Sequence, residues 1–335
     1  MSSEIPMSLN SNTLSSLVLH NAVFKDGHPI SLVFSRTSVP LDLVKPTNVP
    51  CECASIPCTC NSDCVLPNGP PARRTVHRPP SPTKEVNLQF TLDQFINFGA
   101  SGSIYSTKST SISSSAYYLG PFVVKIANRN YNKSLFREAW FYDELQKLQG
   151  ATIPRCYGYF EAELPEGCTF TPWKTVEHML PEVHNLKEEP SDNTYDDFGA
   201  FNELYRTKLS QFETAPLITL LLLEPLGGPF LHIGSGKPFP DEMRSQLRAA
   251  YHDIGCLAVE HGDVRRNNIL EIADNTGPSL PSPFSGQHYP FRIVDFGRSQ
   301  KNNAVPALLD NTHDTDLQHM YDTLPYHVGI PGHDL

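Results

Sequence analysis

The sequence predicts an α+β chain, because short strand-like apolar segments recur through its middle and two amphipathic stretches carry helical periodicity. A third observation locates the chemistry: two apolar segments border the acidic motifs His261-Gly-Asp263 and Asp295-Phe-Gly297. With 335 residues, 39% apolar and 19% charged, the composition is ordinary for a globular protein, and the length allows one large or two modest cores. The 30 prolines are too many for uniform packing, so long irregular stretches are expected.

Residues 1–85 read as an N-terminal extension. Segments 17–24 and 30–34 are strand-like and flank Asp26-Gly27, so a short β-hairpin is expected. From 40 to 84 Pro, Ser, Cys and Arg dominate, a linker composition. Five of the eight cysteines, Cys51, Cys53, Cys58, Cys60 and Cys64, crowd this linker. They lack the paired C-x2-C knuckles of common zinc folds, so a reduced loop is expected ahead of a metal site.

Residues 86–226 form the next segment, with strands expected at 87–90, 104–106, 122–126, 153–160 and 217–224. Ser134 is placed to cap a helix reaching Leu148, whose stripe is Leu135, Phe136, Ala139, Trp140, Leu145 and Leu148; Gly150 suits a left-handed end. An acidic, loop-rich insert at about 180–214 reads as a solvated excursion. In the third segment, 227–300, Asp241 is expected to cap a helix whose core face is Met243, Leu247, Ala250, Tyr251, Ile254, Leu257 and Ala258. That helix leads to His261, and the remainder, 301–335, reads as an irregular tail.

A net charge of −10 argues against a general nucleic-acid or anionic-membrane binder, since phosphate contacts need a basic surface. No basic, apolar leader stands at the start, and the longest apolar run, 217–223, is too short to span a bilayer. An intracellular location, cytoplasmic or nuclear, is expected.

Phosphoryl transfer from ATP needs a backbone that covers phosphates and a cation that fixes them. It also needs oxygen ligands for Mg2+ and a carboxylate that orients the acceptor hydroxyl. Gly99 and Gly102, just before Ile104, let N–H groups approach phosphate without a Cβ in the way; an ordinary β-turn fits them equally. Lys125 sits in an apolar strand, where an unpartnered lysine is costly. Glu138 is the expected partner and Glu144 a competitor, while an edge-strand lysine snorkelling outward is the alternative. The Glu224 carbonyl and Leu226 N–H could meet an adenine edge, or the strand could simply end in a Gly227-Gly228 loop. Asp263 and Asn268 share one loop, and Asp295 follows a further strand.

These residues resemble the protein-kinase-like superfamily, most nearly the divergent protein-kinase-domain proteins abundant in fungi, over about 88–299. The resemblance implies a bilobal fold: an antiparallel β-sheet N-lobe with one helix, and a reduced, mainly helical C-lobe. It implies ATP and Mg2+ as cofactors, with Lys125 on the α/β-phosphates and paired to Glu138. Asp263 would orient the acceptor hydroxyl, Arg265 would lie near the γ-phosphate, and Asn268 and Asp295 would hold Mg2+. There are departures: Asn97 stands for the first loop glycine, Gly262 for an arginine, and no Ala-Pro-Glu follows Asp295. Gly262 predicts no phosphorylated activation loop, and His-Gly-Asp is also the form of aminoglycoside and choline phosphotransferases. A Ser/Thr-type protein kinase is therefore the leading expectation, with a protein acceptor preferred to a small molecule. A small-molecule kinase and a nucleotide-binding pseudokinase scaffold, its shortened C-lobe covered by a partner protein, are the alternatives.

Overall fold

The computed structural model describes residues 9, 13–39, 85–99, 101–114, 117, 120–129, 131–179, 216–231, 240–274, 276, 278–302 and 306–323. The cysteine cluster and the acidic insert at 180–214 lie outside them. The chain divides into two compact units, the first drawn from Met1–Val44, His77–Asp143 and Arg155–Pro225.

In the first unit, β1 (Ser16–Lys25) and β2 (His28–Arg36) form a hairpin about Asp26 and Gly27, both at positive φ. Antiparallel ladders then join β3 (Asn87–Phe98), β4 (Gly102–Ile112) and β5 (Val123–Ala127), and β5 to β8 (Leu217–Leu223) and β8 to β6 (Cys156–Glu163). The expected strands at 104–106 and 122–126 thus fall within or across β4 and β5, whereas 153–155 precede β6.

The expected antiparallel sheet of a bilobal fold is not what these strands build. β2 pairs with β6, and β1 lies parallel to β3, with Leu17 opposite Leu88 and Leu19 opposite Phe90. The order β2-β6-β8-β5-β4-β3-β1, with β1 returning to β2, is a closed, mixed barrel of seven strands. The physical reason is the hairpin: it covers the edges that β3 and β6 would otherwise expose, and closure leaves no edge row of unpaired backbone groups. At Asn21 (φ 59) the β1 register shifts, and beyond it Val23 to Lys25 stay paired with β2 and take β7 (Cys168–Phe170) in place of β3 on the other side. Period-two alternation sends Leu17, Leu19, Phe34, Leu88, Phe90, Val124, Ile126, Phe160, Ile218, Leu220 and Leu222 to one continuous core.

Helix α1 (Asn132–Glu144) starts two residues before Ser134 and gives way to a tighter turn at Gln146–Leu148. Asn132 is turned toward the sheet: Nδ2 donates to Leu217 O at 3.0 Å, and Oδ1 accepts from Thr219 Oγ1 at 2.8 Å. Helix α2 (Thr171–Met179) follows β7 directly, and Trp173 Nε1 donates to Ala127 O at 2.9 Å.

The second unit has short strands beside its helices. A three-stranded sheet, β9 (Leu226–Pro229), β11 (Ile269–Ile272) and β12 (Phe291–Ile293), and the pair β10 (Val259–Glu260) and β13 (Gln300–Lys301) accompany two helices. Strands of two to four residues are too short for an alternation pattern to reveal. Helix α3 (Asp241–Gly255) takes Asp241 as its first residue, not its cap, and Pro240 precedes it. Residues 306–323, expected within an irregular tail, are helix α4 (Pro306–Thr323), packed on α3. Arg292 is fully buried and donates to Gly150 O at 2.7 Å and Ala151 O at 2.8 Å, which satisfies the carbonyls of a turn whose Gly150 is left-handed (φ 75).

Candidate functional site

In the barrel, alternation along β5 places Val124 and Ile126 inside and Lys125 outside. Its ladder neighbours are Ile104 on β4 and Leu221 on β8. Helix α1 covers this outer face, with Phe136 and Tyr159 rings 5.5 Å apart. Lys125 Nζ therefore donates to Glu138 Oε2 at 2.7 Å, with the two residues 7% and 1% exposed. That removes the snorkelling alternative. Glu144 accepts from Lys301 instead.

Gly99 and Gly102 are the two ends of the β3–β4 turn, closed by Gly99 N–H to Gly102 O at 2.8 Å. Gly102 is required by a close approach: a Cβ there would stand 2.6 Å from Ile126 O and 3.5 Å from Lys125 Cγ. Asn128, which carried no motif signal, pins this turn through Nδ2 to Gly99 O at 3.2 Å and Oδ1 from Ser103 Oγ at 3.3 Å. Glu224 is buried and its carboxylate accepts from Arg155 N at 2.9 Å and Arg155 Nη1 at 3.0 Å. Leu226 belongs to the second unit, opposite Ile272 in the β9–β11 ladder.

The second unit gathers Asp263, Arg265, Asn268 and Asp295. The loop leaves β10 through Gly262 (φ 72), where a Cβ would lie 2.6 Å from Arg298 O. No arginine fits there without moving that backbone. The loop ends in a single tight turn, Arg266–Asn268, before β11. Asn268 is buried, and its Nδ2 donates to Asp263 O at 2.9 Å and Oδ2 at 3.0 Å. Arg265 Nη2 reaches Asp263 Oδ2 at 2.9 Å and Asp295 Oδ2 at 3.6 Å. Asp295 adopts the left-handed conformation (φ 68) just before a short turn at Phe296–Arg298, an unusual setting for a non-glycine residue that marks a local constraint.

His261 sits beneath this loop, fully buried. Its Nε2 meets Val294 O at 3.0 Å and its Nδ1 accepts Asp263 N–H at 3.3 Å. A carbonyl can only accept, so the proton is on Nε2 and the ring is neutral; burial accordingly pushes its pKa down. Its own N–H donates to His313 Nε2 on α4 at 3.2 Å, and its carbonyl accepts Ser299 Oγ at 2.9 Å. Neither His313 nor Ser299 was singled out from sequence. The signal for His313 was the stripe Leu309, His313, Leu317, Tyr321, which a polar member interrupts.

Chemically, Asp263 has one oxygen carrying the Asn268 and Arg265 contacts, which leaves Oδ1 to take a hydroxyl hydrogen. Because Asn268 Nδ2 is committed to Asp263, its Oδ1 is the amide atom left for a cation. The Asp295 carboxylate and the Asn268 amide oxygen are hard donors of the kind Mg2+ takes, usually alongside phosphate oxygens. Among the described residues no group of three or more His, Cys, Asp or Glu is gathered so as to hold a metal ion. No protein-family model and no curated protein matches the chain, and the chemistry of these side chains alone carries the functional reading.

Proposed function

We propose that this protein is an ATP- and Mg2+-dependent phosphotransferase that moves the γ-phosphate to a hydroxyl oriented by Asp263. The observation that carries the reading is the loop constellation: Asp263 and Asn268 bonded to each other, with Arg265 spanning Asp263 and Asp295. Asn268 and Asp295 are the proposed ligands, and bound Mg2+ would neutralise charge on the phosphate oxygens. Asp263 Oδ1 accepts the hydrogen of the acceptor hydroxyl. The neutral His261 holds the Asp263 backbone in place, and Arg265 offers a guanidinium beside both carboxylates. Within the barrel unit, taken by itself, the buried Lys125–Glu138 pair and the Gly99–Gly102 turn have the residue types of a phosphate contact.

Helix α4 favours a protein acceptor over a small molecule, because it gives the second unit a packed helical surface. A second reading, a nucleotide-binding scaffold without turnover, is favoured by Arg265, whose single guanidinium already lies against both carboxylates.

Full-length protein incubated with Mg·ATP and generic hydroxyl acceptors is expected to transfer phosphate, and Asp263→Asn to lose transfer while keeping Mg·ATP thermal stabilisation. Stabilisation without transfer in the unaltered protein would select the scaffold reading. Absence of any stabilisation by Mg·ATP would overturn both.

A further inference from the structure

A second constellation of nucleophile and base lies away from the acidic loop, where α3 ends against α4. Cys256 caps α3, and its N–H donates to His252 O at 2.8 Å. One helical turn back, His252 Nε2 lies 3.4 Å from Cys256 Sγ. Across the helix pair, Asp310 Oδ1 lies 2.8 Å from His252 Nδ1. The close approach that brings Asp310 over α3 occurs at Gly255, where a Cβ would stand 3.5 Å from Leu309 Cβ and 3.7 Å from Asp310 Oδ1.

These contacts order the protons. An ionised Asp310 only accepts, so His252 Nδ1 carries hydrogen; in the neutral ring Nε2 is then the acceptor, and the thiol donates to it. Nucleophile, base and orienting carboxylate stand in hydrogen-bonded sequence, the arrangement that activates a thiol. His252 is 47% and Asp310 35% exposed at the side chain, and Cys256 is a thiol of intermediate exposure. Reagents from solution therefore reach the group. The other two described cysteines have a different setting: Cys156 is buried with its pKa pushed up to about 12, chiefly by burial, and Cys168 stands in β7 opposite Lys25, its N–H bonded to Pro165 O.

We propose that Cys256 is a reactive thiol, activated by His252 and Asp310, and a site of reversible thiolation by low-molecular-weight disulfides. The Cys256 proton passes to His252 Nε2. The thiolate attacks one sulfur of the disulfide, a new S–S bond forms as the old one breaks, and the departing thiolate takes the proton from His252. The protein thiol is oxidised and the small disulfide reduced, with no further reactant. The site is independent of the phosphotransferase reading.

Full-length protein is exposed at pH 7 to iodoacetamide, and separately to glutathione disulfide, and modification at Cys256 and Cys168 is followed by peptide mass spectrometry. Cys256 is expected to react about tenfold or more faster than Cys168, as a thiol with only a few per cent thiolate would gain that factor on activation. His252→Gln and Asp310→Asn are expected to remove most of the advantage for both reagents without a change in circular dichroism. Equal rates at the two cysteines, or a Cys256 rate unaltered by His252→Gln, would overturn the proposal. Alkylation that is fast while glutathione disulfide leaves Cys256 unmodified would overturn its thiolation part.

Discussion

Removing the carboxylate of Glu138 tests whether the barrel's charged pair is truly interior. Exposed ion pairs contribute about 0–1 kcal/mol because water screens them and both side chains lose freedom. Breaking a buried pair costs about 3–5 kcal/mol, since the remaining charge stays desolvated and uncompensated. The side chains of Lys125 and Glu138 are 9% and 1% exposed, at a separation of 2.7 Å, which places them in the second regime. Glu138→Leu is therefore expected to lower unfolding free energy by about 3–5 kcal/mol. Adding Lys125→Met should recover most of that loss, because an apolar pair of similar volume removes the stranded charge. Both variants would be followed by urea denaturation with tryptophan fluorescence, comparing midpoints at constant slope. A single-variant loss under about 1 kcal/mol, or no recovery in the double variant, would refute the burial argument. The double variant also separates roles: it should be stable yet no longer gain stability from Mg·ATP if Lys125 contacts phosphate.

Phe34→Ala should cost about 3–5 kcal/mol if β2 closes the barrel, and well under 1 kcal/mol if the hairpin were an appendage; the same denaturation series distinguishes them. Gly262→Ala should destabilise by about 1–3 kcal/mol from left-handed strain before the Arg298 contact is counted, and should abolish phosphate transfer; a neutral effect would refute the geometry. Acid should destabilise the second unit through His313, whose pKa is pushed down to about 3 by burial and then by the nearby His261. An unfolded histidine takes its proton near pH 6.5. Between about 6.5 and 3 the unfolded state thus binds more protons, and stability falls as pH drops, by about 1.4 kcal/mol per pH unit. His313→Gln keeps an acceptor for the His261 N–H and should flatten that limb in pH-dependent denaturation; an unchanged slope would contradict it.

What could be read from sequence was whatever rests on local pattern. Lys125 and Glu138 were joined correctly because a strand turning into a helix leaves few geometries for a buried lysine. That Asp263 and Asn268 share one loop was equally legible, whereas the hydrogen bond from Asn268 Nδ2 to Asp263 is a finding of the structure. What could not be read was pairing between distant segments. The hairpin 16–36 carries the same alternation whether it stands alone or closes a barrel, and the strand it meets, β3, begins only at Asn87, far along the sequence. Only the parallel register of Leu17 with Leu88 and Leu19 with Phe90 decides between them.

Helix α4 was hidden for a different reason, and the reason bears on function. Its inward stripe runs Leu309, His313, Leu317, Met320 and Tyr321, and a histidine in the middle reads as a polar break. Yet a leucine at 313 would leave the His261 N–H buried without an acceptor, at a cost of about 1–3 kcal/mol. The residue that spoils the apolar pattern is the one that ties the helix to the loop carrying Asp263. Gly262 follows the same logic. Seen as a motif it is a missing arginine, but its φ of 72° and the Arg298 carbonyl 2.6 Å from a Cβ position make it the residue the backbone requires. At both positions the departure from pattern follows from how closely the loop is packed against its supports. Loop geometry, more than the identity of the acidic residues alone, is then what substitutions at 262 and 313 will expose.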